Sequence, residues 1–168
     1  MVCLDTQVVI WGVQGTARES QKPMIARARS YLEYLQKGNR QIMIPAPVLF
    51  EYLLGFDSSK QKQRQREIIE KHFFVPSLDV PSAALAAELL GNTENLKTLK
   101  KDHERRREQV KVDAQIVAIA ITHGAAEIIS HDPAFSKIAG GKILVKEIPV
   151  VEEQHELFEG DSSDSRED

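Results

Sequence analysis

Cysteine is nearly absent from this 168-residue chain: Cys3 stands alone, inside the apolar run Val2-Cys3-Leu4. One cysteine excludes an internal disulfide and a cysteine cluster for zinc, and its setting marks it as a small buried apolar residue. Histidine offers no substitute. His72, His103, His123, His131 and His155 are scattered without metal-ligand spacing and read as surface or helix-end residues. No apolar stretch approaches the ~20 residues needed to span a bilayer, so no membrane association is expected. No basic segment precedes the first apolar run, which Asp5 interrupts, so no signal peptide is expected and the cytoplasm is the expected location. A glycine-rich phosphate loop is missing too, Gly140-Gly141 having the form of a turn.

What remains is ordinary in bulk: 42% apolar and 28% charged residues, the composition of a globular domain long enough to bury a core. The net charge of −3 conceals an asymmetry. Residues 152–168 carry eight acids and a single base, Arg166, which leaves 21 bases and 17 acids in the preceding body, a balance of +4. The expected organisation is one domain over residues 1–151, followed by an acidic, disordered tail over 152–168. A mildly basic body suits a polyanionic substrate.

Short apolar runs alternate with helical periodicity. Strands are expected at Val2 to Asp5, Ile42 to Ile44, Phe73 to Val75, Glu127 to His131 and Ile143 to Ile148. Helices are expected at Pro23 to Lys37, around Val48 to Phe56, at Ser58 to Lys71, Pro81 to Leu90 and Val112 to His123, with a polar surface helix over Asn92 to Lys111. Alternation of this kind predicts an α/β fold with a mainly parallel sheet of four to five short strands, whose functional groups gather at the carboxyl ends of the strands.

Four carboxylates stand out against this pattern. Asp5 and Asp132 fall at the ends of the first and fourth expected strands. Glu51 and Asp113 lie on apolar helix faces, Asp113 beneath the stripe Ile116, Val117, Ala120 and Ile121. Each has a plainer explanation: a turn residue for Asp5 and Asp132, a dipole-favoured position for Glu51, an N-cap for Asp113. As a set they point to a shared site, because a carboxylate held away from water must be paired or must ligate a cation.

Four segments then carry a family resemblance: Val-Cys-Leu-Asp-Thr (2–6), Pro-Val-Leu-Phe-Glu (47–51), Val-Asp-Ala-Gln-Ile-Val-Ala-Ile-Ala (112–120) and Ile-Ile-Ser-His-Asp-Pro-Ala-Phe (128–135). In order and spacing they resemble the PIN-domain nucleases, especially the toxin halves of VapBC-type toxin–antitoxin pairs. The resemblance runs from about Val2 to Ile148. It implies a PIN-like three-layer α/β/α sandwich and a Mg²⁺- or Mn²⁺-dependent endoribonuclease. Asp5, Glu51, Asp113 and Asp132 would be its catalytic metal ligands, with Thr6 and Ser130 as supporting hydroxyls. It further implies an RNA substrate, a small antitoxin partner and a homodimer. Many relatives carry another acid just after the position of Asp132, where this chain has Ala134, so fewer metal ligands are expected here.

RNA would be held by basic side chains around the acidic pocket. One candidate patch is Lys97, Lys100, Lys101, Arg105, Arg106, Arg107 and Lys111; another is Lys60, Lys62, Arg64, Arg66 and Lys71. Either could equally be a solvated helix face. Two other readings stand beside the toxin: an RNA-processing PIN nuclease without an antitoxin, and a non-catalytic PIN-like RNA-binding module. Retention of all four acids argues against the last, since a scaffold gains little from clustered charge.

Overall fold

In a parallel sheet both faces are covered, so the strands must be apolar throughout. The computed structural model, which describes residues 1–91 and 107–151, has a four-stranded sheet of this kind. The strands are β1 (Val2–Leu4), β2 (Ile42–Met43), β3 (Glu127–Ile129) and β4 (Leu144–Lys146), in the order β2-β1-β3-β4 and parallel throughout. β1, β2 and β3 are entirely buried. The expected strand at Phe73 to Val75 reduces to a single parallel bridge between Met43 and Phe74. Pro45 and Pro76 follow closely on the bridging segments, and neither can donate to a ladder.

Helices connect the strands: α1 (Thr6–Val9), α2 (Pro23–Lys37), α3 (Ala46–Leu54), α4 (Ser59–His72), α5 (Val80–Gly91), α6 (Arg107–Thr122) and α7 (Pro133–Ala139). α1 runs into a π-helical turn over Ile10–Gln14, closed by Gly15 in the left-handed conformation. The expected helices lie within a few residues of these bounds, except the polar helix over Asn92 to Lys111, most of which lies outside the described residues. α6 starts earlier than its apolar stretch suggests, and α7 was not legible in the sequence because seven residues hold too little periodicity. Together the sheet and its covering helices form a three-layer α/β/α domain. No described helix is long and apolar enough to cross a membrane.

α6 holds the centre of the domain. Ala114, Ile116, Val117, Ala118, Ile119 and Ala120 are essentially inaccessible, so the helix is apolar nearly all round and must be enclosed. It packs against α5, α7, α3 and β3. Each fully buried Ile or Val contributes roughly 1.5–3 kcal/mol of transfer free energy, which anchors α6 against the sheet. Cys3, fully buried in β1, is the inert apolar residue its setting implied, its thiol pushed far up by burial.

Lys97, Lys100, Lys101, Arg105 and Arg106 lie outside the described residues, as do the Arg107 side chain and the acidic stretch 152–168. Lys111 is exposed on α6. The second basic patch lies on α4, which packs beside α3 and is anchored to it by the Tyr52 hydroxyl donating to Gln65 Oε1 at 2.7 Å. Arg66 there pairs with Glu70 at 3.5 Å.

Candidate active site

The two central strands run in one direction and end level, Leu4 opposite Ile129. The next residues, Asp5 and Ser130, therefore emerge side by side at the carboxyl edge. Connections leave β1 for β2 on one side and reach β3 on the other, so a crevice opens between β1 and β3, where the strand order reverses. Asp5 sits at its base. Its backbone N–H donates to the Ile129 carbonyl at 3.1 Å. Its Oδ2 accepts the Ser130 hydroxyl at 2.8 Å, and its Oδ1 accepts the Thr6 N–H at 2.6 Å. This second bond caps α1, so the turn-residue explanation holds for Asp5 and leaves Oδ2 turned toward Ser130.

Glu51 arrives from α3 and accepts the Thr6 hydroxyl through Oε2. The hydroxyls of Thr6 and Ser130 thus each donate to one of the four carboxylates. Glu51 is the sixth residue of α3, too far along for a dipole-favoured first-turn acid. Asp113 lies in the second turn of α6, buried at 6% exposure, so the N-cap explanation fails. Asp132 does cap a helix: its Oδ1 accepts the Ala134 N–H at 2.9 Å at the start of α7. Ala134 is buried at 2%, where a packed methyl fills the space a longer side chain would need.

All four acids, with Thr6, line one cavity of about 540 Å³. Among the described residues that line it there is neither lysine nor arginine. Burial pushes the Asp5 carboxyl up to about 6; the Ser130 and Thr6 hydrogen bonds oppose that, and the charges of Asp113 and Glu51 add to it. The contrast is Glu127, also buried in the sheet but at its other edge. It meets Lys146 at 2.9 Å and Arg40 at 3.2 Å, so protein cations compensate its charge.

Carboxylate oxygens beside threonine and serine hydroxyls form the donor set a hard dication prefers. The residues fit such an ion in kind. They are not drawn tightly around one point: among the described residues no three His, Cys, Asp or Glu side chains are grouped to hold an ion together. Glu51 turns to Thr6, and Asp132 to the α7 N-terminus.

His131 departs from the surface or helix-end role expected of it. It lines the cavity and meets Trp11 edge to face, ring centroids 5.4 Å apart at 73°. Its Nε2 accepts the Ile148 N–H at 3.3 Å, so the neutral ring carries its hydrogen on Nδ1, which faces Glu147. Desolvation holds its pKa below the ordinary histidine value, with Arg27 adding to that and Glu147 opposing it. The sequence signal for His131 was only its place between two site residues.

Comparison with known proteins assigns this crevice to a family: the PIN domain profile matches residues 2–141. The chain belongs to the PIN-domain family. Among solved structures, a chain from the crystal structure of VapBC2 from Rickettsia felis bound to a DNA fragment from their promoter shares its fold. That match has a TM-score of 0.58 at 16% identity and covers 88% of this chain and 98% of the other. No curated protein matches the sequence. PIN domains are generally nucleases that use divalent metal ions, so the family supports hydrolytic chemistry at this crevice.

Proposed function

We propose that this protein is an endoribonuclease dependent on Mg²⁺ or Mn²⁺, and the toxin of a type II toxin–antitoxin pair. The observation that carries the reading is the cavity at the strand-order reversal, which is lined by four carboxylates, with Asp5 pushed up to about 6, in a member of the PIN family. Asp5, Glu51, Asp113 and Asp132 would hold the ion, which when bound supplies Lewis-acid activation of water and charge stabilisation at phosphorus. Thr6 and Ser130 keep Glu51 and Asp5 turned inward, which fixes where the substrate phosphate must sit. The water oxygen joins phosphorus in line as one ester P–O bond breaks. One fragment leaves with a phosphate monoester and the other with a hydroxyl that takes up a proton.

RNA is favoured as substrate by the likeness to the toxin–antitoxin nucleases and by the basic side chains of α4 and Lys111. The likeness in fold to a VapBC2 chain supports a small antitoxin as partner, and the working assembly we propose is a homodimer. The test is incubation of total RNA with purified protein in Mg²⁺, Mn²⁺ or chelator, followed by fragment-end mapping. Defined ends in the metal-containing samples alone are expected. Intact RNA under all conditions would overturn the reading, and cleavage in chelator would overturn its metal dependence. A small open reading frame beside the gene, whose product suppresses cleavage, distinguishes the toxin from a processing nuclease.

A further inference from the structure

The cavity is larger than its four carboxylates need. At about 540 Å³ it falls within the roughly 300–1,000 Å³ of pockets that enclose small organic molecules. Its lining holds two kinds of residue. Beside the four acids and Thr6, the lining is neutral: Gln7, Gln21, Gln109, Trp11 and His131, with Pro133 and Phe135. Each neutral group is tied to the acids through the backbone. Gln7 follows Asp5 and Thr6 on α1, His131 immediately precedes Asp132, and Gln109 lies one helical turn before Asp113 on the same face of α6.

The polar atoms of this wall are unspent. None of the three carboxamides has a hydrogen-bond partner among the described residues. The indole Nε1–H of Trp11, a side chain only 2% exposed, is buried with no acceptor. The buried indole N–H costs roughly 1–3 kcal/mol unsatisfied, whereas the accessible carboxamides exchange bound water for a ligand. The wall thus offers carboxamides, each both donor and acceptor, and aromatic rings beside an acidic pocket. That is the chemistry that reads the edge of an unstacked nucleobase in single-stranded RNA.

Building on the proposed ribonuclease activity, we infer that Gln7, Gln21, Gln109 and Trp11 form a nucleobase subsite, which receives the base next to the scissile phosphate and sets cleavage preference. In this arrangement the acids would serve the phosphate through their bound ion, and the carboxamides would select the base beside it. A base with a donor and an acceptor side by side, as adenine has, is best matched to a carboxamide.

Trp11 is the only tryptophan in the chain, so its fluorescence reports on this wall directly. The experiment titrates the full-length protein, with Mg²⁺ present, with each nucleoside 5′-monophosphate and with ribose 5-phosphate. None of these contains a diester to cleave, so the readout is independent of catalysis. Nucleotides are expected to change Trp11 emission, with one base binding at least about 5-fold more tightly than another, and ribose 5-phosphate to bind more weakly. Gln7→Ala and Gln21→Ala should bring that ratio close to 1 while keeping the weaker ribose phosphate affinity. Thermal melts of each variant confirm folding, and Gln109→Ala, on the exposed rim, is the variant least able to disturb the core. Equal affinity for all four nucleotides and ribose phosphate, or discrimination unchanged in all three variants, overturns the subsite. Base-selective binding in a protein that cleaves no RNA would support the subsite and overturn the activity.

Discussion

The hydroxyl of Ser130 donates to the buried Asp5 carboxylate at 2.8 Å, joining the ends of the two central strands across 125 residues of sequence. Removing the donor in Ser130→Ala leaves Asp5 less well oriented and raises its pKa further. Loss of an outer partner to a metal ligand typically weakens metal affinity or activity about 10–100-fold. Calorimetric Mn²⁺ titration of Ser130→Ala beside the parent checks this, and unchanged affinity would mean the bond serves only the fold.

Asp5 also makes the metal-free protein sensitive to pH. Its folded pKa of about 6 lies above the ordinary 3.8, so the fold binds this proton more tightly than the unfolded chain does. Its contribution is fully present below pH 3.8 and is lost as pH rises through about 6. Holding Asp5 ionised at neutral pH therefore costs about 3 kcal/mol. Asp5→Asn without metal should melt about 5 °C or more above the parent at pH 7.5, and close to it at pH 4. Melting curves with chelator at the two pH values decide; a lower melting point at pH 7.5 would count against buried charge repulsion.

Saturating Mg²⁺ or Mn²⁺ should reverse that order. An ion at about 100 times its dissociation constant stabilises the parent by roughly 2.7 kcal/mol. Asp5→Asn should gain far less. Equal metal-induced shifts in both proteins would place the ion elsewhere.

The fold was legible where the chain is repetitive. The periodicity of Pro23 to Lys37 marked α2 from end to end, and the runs at Val2, Ile42, Glu127 and Ile143 marked the four strands. The strand at Phe73 was over-read because apolarity does not reveal whether a partner edge is long enough to pair, and here proline shortens both sides. The site was legible through its acids, since buried carboxylates at strand ends are rare for good physical reasons. Its neutral wall was not: Gln7, Trp11, Gln21 and His131 come from separate turns, and glutamine in a turn looks the same whether it faces water or a cavity. Only the folding of α1 and α6 onto one crevice brings them together.

The π-helical turn behind that wall depends on Gly15. Its φ of 73° is strained for any residue with a Cβ, and a Cβ there would lie 2.1 Å from an Arg29 guanidinium nitrogen. Gly15→Ala should destabilise the protein by about 1–2 kcal/mol. Urea unfolding measures it, and an unchanged midpoint would show that the turn relaxes freely.

The most direct test of the central claim is metal-dependent cleavage of RNA by the parent, Asp5→Asn and Asp113→Asn, measured side by side as single-turnover rates with folding verified. The prediction is cleavage by the parent in Mg²⁺ or Mn²⁺, and at least about 100-fold slower cleavage in both variants, beyond the usual effect of losing an outer partner. Cleavage at the parent's rate by both folded variants would contradict it.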